Sequence, residues 1–341
     1  MRALVFGGPL SLRVEERPKP EPGPGDVLLR VRAVGICGSD LHGYTGDTGR
    51  RAPGQIMGHE IGAVVETSGE GGPPAGAVAT VHPVLFCGEC AMCLRGETSL
   101  CERREVIGVT PTLQGGYADY MCVRARNVVA VPQASVEHAA LVEPLAVALH
   151  AARRGGVERG ATVVVMGAGT IGIACLLAAM RDGAERVVVS EPLEARRALA
   201  AELGAIVIDP ASENVAARTR EIAPGGVDVA LDAVGISDTV NAAAAATRPG
   251  GAVVLVGMGK PRIDLDLFAV VVEERRLVGT FCYSERHFLE TAEWVASGTL
   301  DLDRVIQRRA GFDEVVPLFH RLAVGEDDAT KALLVTDDAG S

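Results

Sequence analysis

The chain has 341 residues, a length that suits two domains better than one, and its 48% hydrophobic and 23% charged residues describe a globular protein with ample core. A formal net charge of −11, with no basic cluster beyond pairs such as Arg103 and Arg104, argues against a nucleic-acid partner. No apolar run approaches membrane-spanning length. The opening MRALVFGGPLSLRVEE lacks the basic-then-apolar pattern of a signal peptide, so a cytoplasmic location with no membrane partner is expected.

From Met1 to about Pro144 the pattern is β-rich, with short strands between Gly/Pro punctuation. Residues 27–34 alternate apolar and charged side chains, as a half-buried strand does, and residues 61–67, 78–81 and 117–123 read similarly. PKPEPGPG, residues 18–25, is a stiff surface connector. Scattered through this half are Cys37 in GICGSDLH, the pair His59-Glu60 in MGHEIG, and Glu143 in LVEPLAVALH. Singly these read as a buried thiol, a core histidine and surface carboxylates. Together they offer thiolate, imidazole and carboxylate, a metal-ligand set that leaves a position open for an exchangeable ligand. Ser39 and His42 beside Cys37 add a hydroxyl and a titratable base.

Eight cysteines in a reducing compartment point to metal or catalysis before disulfides. Four of them, Cys87, Cys90, Cys93 and Cys101, lie within fifteen residues. Four thiolates on one loop close a tetrahedral zinc shell and leave no water position, so the site would hold a lobe together. An iron–sulfur cluster is the competing reading, but its fourth cysteine is expected three residues on, before Pro. Here it lies seven on, before Glu102.

After about Leu145 strands and helices alternate, which predicts a parallel, doubly wound sheet covered on both faces. The stretch TVVVMGAGTIGIACLLAAMRDGAERVVVSE, residues 162–191, is its first βαβ unit. A β-branched strand runs into Gly167, Gly169 and Gly172 in GxGxxG spacing, then a helix beginning near Thr170 and Ile171, then a second strand closed by Glu191. In that pattern Gly167 makes the sharp turn, Gly169 lets the backbone approach a pyrophosphate, and Gly172 lets helix and strand pack together. The helix N-terminus takes the phosphates, and Glu191 accepts from the ribose hydroxyls. A carboxylate there repels the 2′-phosphate of NADP, so NAD is the expected cofactor, although Arg196 and Arg197 lie close along the chain. Further strands are expected at 206–208, 227–231 and 252–256, with helices at 195–203 and 240–246. From about Ser284 the rhythm stops. Helices at 287–295 and 313–322 precede a last strand at 332–335, and the tail is expected to return to the first domain.

These motifs, in this order, resemble the zinc-dependent medium-chain alcohol dehydrogenases over nearly the whole chain. The resemblance rests on GICGSDLH, GHEIGAVV, the four-cysteine lobe, GGYADYMCV, LVEPLAVALHA and VMGAGTIG. Glu143 before Pro144 resembles the polyol, threonine and 2,3-butanediol branch, and SEPLEARRALAAELGA and LVGTFCYSERHFLETAEWVASGTLD look most like 2,3-butanediol dehydrogenases. The resemblance implies a GroES-like, zinc-binding catalytic domain of residues 1–144 and 285–341, and a Rossmann NAD-binding domain of residues 145–284. It implies two zinc ions per chain, one structural and one catalytic. Cys37 and His59 would be direct ligands of the catalytic ion, with Glu60 and Glu143 sharing the remaining role and Asp40 orienting His59. Arg196 would lie beside the adenine. Val256, Met258, Phe281 and Cys282 would line the nicotinamide pocket, and Lys331 would be a cation near the pyrophosphate.

The implied reaction exchanges hydride between NAD and a secondary alcohol or its ketone, with Ser39 and His42 carrying the proton by way of the cofactor ribose. The substrate expectation is a vicinal diol such as 2,3-butanediol; sorbitol or another polyol, an aminocyclitol and threonine are the alternatives. A zinc-free reductase would be expected to lack Cys37 and His59, and a non-catalytic NAD-binding sensor would have no need of Ser39 and His42. A homodimer or homotetramer is implied, with an open sheet edge near residues 277–280 as one candidate contact. The family's Gly-Asp-Arg-Val turn is missing: GGPPAGAVATV stands in its place, so the bonds of that Asp and Arg must be replaced or lost.

Overall fold

The computed structural model describes residues 1–47 and 49–337 and divides into two compact units, Met1–Glu143 with Ser284–Ser341, and Pro144–Tyr283. The first is β-rich. Alternating apolar residues along Asp26–Gly35 make it the centre of a seven-stranded sheet, with Glu60–Thr67, then Val78–Val81, then Val128–Ala130 laid beside it in turn. Tyr120–Arg124 pairs with the first half of Asp26–Gly35, and Lys331–Val335 with the second half, Leu333 opposite Gly35. Ile306–Ala310 completes that edge, parallel to Lys331–Val335. The side chains turned inward, among them Leu29, Val31, Val34, Ile61, Tyr117, Phe319 and Leu334, are fully buried.

GGPPAG closes its turn with main-chain bonds alone. Val65 N–H donates to Ala77 (2.9 Å), Gly76 N–H to Val65 (2.8 Å) and Ala77 N–H to Pro74 (3.1 Å). The expected strand 117–123 begins later, at Tyr120, because the backbone before it pairs elsewhere, Tyr117 N–H donating to Met57 and Asp119 N–H to Arg2.

In the second unit six strands form one parallel sheet in the order Ile206–Ile208, Arg186–Ser190, Thr162–Met166, Val227–Asp232, Thr247–Leu255, Arg276–Gly279. Val163, Val164 and Val165 are all fully buried, as a strand covered on both faces requires. The chain leaves the central strand Thr162–Met166 in opposite directions, so the order reverses there, and ligands of such sheets bind outside the carboxyl ends of the strands at that switch point. The architecture is α/β: a GroES-like sheet in one unit and a doubly wound, Rossmann-type parallel sheet in the other. Helix Val142–Gly155 runs through the point where the sequence texture changes, with Pro144 in its first turn. Among the described residues no helix is long and apolar enough to cross a membrane.

Candidate active site

Two segments of the first unit bring three candidate ligands together, with His59 and Glu60 buried and Cys37 half-buried. Cys37 precedes helix Gly38–Thr45, and His59 and Glu60 lead into the strand Glu60–Thr67 that pairs with Asp26–Gly35. One ligand atom each from Cys37, His59 and Glu60 lies within 4.8 Å of the others, close enough to hold one metal ion. Gly35 sits opposite Glu60 in the sheet, and a Cβ there would stand 1.7 Å from Glu60 Oε2; only glycine leaves room for this carboxylate. Glu143 is buried in the first turn of Val142–Gly155 and falls outside the three-residue group, although its charge acts on His59.

The donors fit a soft-to-borderline divalent cation. Burial alone would lower the His59 imidazole. Asp40, Cys37 and Glu143 outweigh it and hold His59 at about 10, a mark of surplus negative charge that a cation would satisfy. His59 Nδ1 lies 3.6 Å from Asp40 Oδ2, which leaves Nε2 as the nitrogen for a metal.

Asp40 itself is fully buried and held by two further groups that the sequence did not advertise. Arg51 Nη2 donates to Oδ1 at 2.9 Å, and the Tyr117 hydroxyl donates to Oδ2 at 2.9 Å. Ser39 Oγ is buried with no hydrogen-bond partner among the described residues. His42, one helical turn on, is half exposed, with Nδ1 3.5 Å from Asp47.

Lys331, expected as a cation near the pyrophosphate, has its ammonium at the Cys37–Glu60 corner of the first unit. Its ammonium contacts the Glu60 carboxylate and donates to the Ile36 carbonyl at 3.2 Å, and the residue is 1% exposed. Strand register explains this: Ile36 N–H donates to Ala332, so the residue before Ala332 faces the Cys37–Glu60 corner. The ammonium is committed to Glu60.

The second group, Cys87, Cys90, Cys93 and Cys101, also has its four sulfurs within 4.8 Å of one another, and none of the eight cysteines is in a disulfide among the described residues. Backbone N–H groups of Cys87 and Cys90 point at sulfurs of this group, each at 3.3 Å. Such N–H···S bonds favour the thiolate form, and those from Glu89 and Cys90 pull the Cys87 thiol down to about 6. Thiolates are the form a structural zinc takes.

In the second unit the Gly-rich turn joins Thr162–Met166 to helix Thr170–Arg181, at the switch point. Gly167 has φ +89°, the left-handed region that a turn off the strand needs. A Cβ on Gly172 would meet the Gly167 carbonyl oxygen at 1.9 Å, so helix and turn touch only because it has none. Gly169 is different: the nearest atom to a Cβ there is Arg196 Nη1 at 3.9 Å. The chain itself leaves space over Gly169, and the helix that starts with Thr170 and Ile171 has no side-chain cap. A pyrophosphate would fit over such a turn.

Glu191 ends strand Arg186–Ser190 and is 4% exposed. Its oxygens accept N–H bonds from Ala168 (2.7 Å) and Leu193 (3.0 Å), which fix the carboxylate beside the turn with lone pairs still available. Arg197, which the sequence left as a rival for a 2′-phosphate, is spent on the Glu191 carbonyl (2.9 Å) and Asp209 (3.3 Å). Val256 and Met258 follow strand Thr247–Leu255, and Phe281 and Cys282 follow Arg276–Gly279, at the same carboxyl edge of the sheet. Cys282 has φ +51°, a strained conformation for a residue with a Cβ.

Comparison with known proteins agrees with this geometry. A family model described as alcohol dehydrogenase GroES-like domain matches residues 23–133, and one described as zinc-binding dehydrogenase matches residues 170–297. L-threonine 3-dehydrogenase of Pyrococcus abyssi is 35% identical over 320 residues, covering 90% of each chain. L-idonate 5-dehydrogenase of Vitis vinifera is 34% identical, covering 89% of this chain and 86% of its own. The crystal structure of 2R,3R-butanediol dehydrogenase from Bacillus subtilis superposes with a TM-score of 0.88 at 29% identity, covering 98% of this chain and 99% of that one. The relatives are named for several different substrates, and no one branch stands out. This chain belongs to the zinc-dependent medium-chain dehydrogenase/reductase family and is an NAD(P)-dependent oxidoreductase acting on CH–OH groups.

Proposed function

We propose that the enzyme oxidises a secondary hydroxyl of a polar substrate, a polyol, a sugar acid or L-threonine, in preference to 2,3-butanediol, with NAD as acceptor. The observation that carries the enzymatic reading is the convergence of Cys37, His59 and Glu60 beside Ser39. The substrate class rests on the relatives named for threonine and idonate, which match at 35% and 34%. Cys37, His59 and Glu60 would hold a catalytic zinc, with Glu143 beside them, and the four cysteines a structural one. When bound, the catalytic ion supplies Lewis-acid polarisation of the substrate hydroxyl.

The chain's own residues do the rest. Ser39, with its hydroxyl unspent, takes the proton at the substrate oxygen, and His42 passes it to solvent from the exposed end of the same helix. Gly167, Gly169 and Gly172 shape the turn over which the dinucleotide lies, with Thr170, Ile171 and Arg196 beside it. Glu191 accepts from the adenosine ribose and repels a 2′-phosphate. Val256, Met258, Phe281 and Cys282 border the nicotinamide.

The enzyme works as a homodimer or homotetramer. Arg276–Gly279 is the outer strand of its sheet, and Phe268, Val271 and Val272 nearby are 80%, 63% and 68% exposed, an apolar patch that a second copy would cover. NADH formation measured side by side with L-threonine, L-idonate, sorbitol and the 2,3-butanediol stereoisomers tests the substrate reading. One of the first three should give the highest kcat/KM; a butanediol isomer exceeding them all would contradict it.

A further inference from the structure

Arg51 is a buried cation in the shell behind the metal donors. Its side chain is 2% exposed and the Asp40 side chain it meets is 0% exposed. Nη2 donates to Asp40 Oδ1 at 2.9 Å and reaches the Ser39 carbonyl at 3.5 Å, while Nη1 donates to the Val109 carbonyl at 3.2 Å. The helix that carries Ser39 makes room for it: a Cβ on Gly43 would stand 2.7 Å from Arg51 Cγ. A glycine inside a helix costs stability relative to alanine, so the space over Gly43 is a feature held against that cost. On the far side of Asp40, Oδ2 takes the Tyr117 hydroxyl and faces His59 Nδ1 at 3.6 Å. The order in space is Arg51, Asp40, His59.

A carboxylate with no access to water needs a compensating cation, or it turns its charge on whatever polar group it can reach. Partners of metal-binding histidines fix ring orientation and ligand basicity. We propose that Arg51 is a positioning residue for the metal centre. By holding the Asp40 carboxylate in place and balancing its charge, it sets the His59 ring to present Nε2 to zinc, and it fixes the Ser39 backbone in the same contact. The proposal rests on the reading that Cys37, His59 and Glu60 hold zinc.

The test uses the purified, zinc-loaded enzyme and four variants: Arg51→Met, Arg51→Lys, Asp40→Asn, and Arg51→Met with Asp40→Asn. Each variant's fold is checked by circular dichroism. Zinc release into a chromogenic chelator is followed over time, with the four-cysteine ion as internal reference, and KM for NAD is measured alongside kcat. Arg51→Met should speed release of one ion about tenfold or more, leave the slow ion unchanged, and lower kcat with little change in KM for NAD. Arg51→Lys should recover part of the loss, because it restores the charge without the planar fork. Adding Asp40→Asn to Arg51→Met should cost less than the sum of the two, since the uncompensated carboxylate is then gone.

Unchanged zinc release in Arg51→Met would overturn the proposal. So would equal acceleration at both ions, or strict additivity with Asp40→Asn, which would mark a general structural role. An unmodified enzyme that holds zinc only at the four cysteines would overturn the metal reading beneath it, and the proposal with it.

Discussion

Two glycines three residues apart, Gly169 and Gly172, should fail in opposite ways when given a methyl group. At Gly172 a Cβ would sit 1.9 Å from the Gly167 carbonyl oxygen and 2.7 Å from its carbon, both backbone atoms of the strand's exit turn. Helix and turn must separate by more than an ångström to admit it. Overpacking of this kind costs about 1–3 kcal/mol, so Gly172→Ala should lose that much stability and bind NADH poorly as well. At Gly169, φ is −68°, ψ is −174°, and only the flexible end of Arg196 comes within 4 Å of the added atom. Alanine suits that backbone. The gain from a stiffer unfolded chain, about 0.4–1 kcal/mol, is roughly offset by alanine's poor fit at a helix N-cap. Stability should therefore stay within about 1 kcal/mol of the parent, while NADH affinity falls about tenfold or more, or about 1.4 kcal/mol, because the methyl group occupies the place of the pyrophosphate. Urea denaturation of the cofactor-free proteins and calorimetric titration with NADH separate the two quantities. A Gly169→Ala enzyme that binds NADH as well as its parent would show that no dinucleotide crosses this turn.

The other expectations are more compact. Glu191→Ser should shrink the preference for NAD over NADP, which we expect to be about tenfold or more in kcat/KM in the parent; equal use of both cofactors by the parent would remove Glu191 from that role. His82 is 3% exposed and held by burial at about 4, against 6.5 in the unfolded chain. The unfolded state then takes up a proton below pH 6.5 that the folded state refuses down to about 4. Stability from this residue is complete above pH 6.5 and falls through that window, by roughly 3 kcal/mol at most; His82→Gln should flatten the parent's acid-side loss in urea titrations at pH 7, 6 and 5. Light scattering should give a mass of two or four chains, and Phe268→Lys should shift it toward 35.4 kDa; a parent that already runs at that mass would exclude the oligomer.

Local chemistry was the part of this chain most legible as sequence. The four cysteines, the Gly-rich turn and Glu191 each lie within a short stretch whose spacing alone dictates what can meet. Strand runs such as residues 162–166 are readable for the same reason, since β-branched residues bounded by glycine have few other uses. What could not be read are contacts across long separations. Arg51 looks like any loop arginine until Gly43 and Asp40 come around it, and Lys331 meets Glu60 only because the last strand joins the first sheet. Helix Val142–Gly155 carries Pro144 in its first turn, where a proline costs no hydrogen bond, so the helix crosses the point at which the sequence texture changes.

The central claim is that Cys37, His59 and Glu60 form one zinc site and the four cysteines another. Zinc content per folded chain, measured on the parent, Cys37→Ser and Cys93→Ser enzymes after exhaustive dialysis, tests it most directly. Two ions are expected in the parent. One is expected in Cys37→Ser, with the fold kept and turnover abolished, and a marked loss of stability in Cys93→Ser, because binding at a structural site is partly folding free energy. One ion in the parent, or two retained by Cys37→Ser, would contradict it.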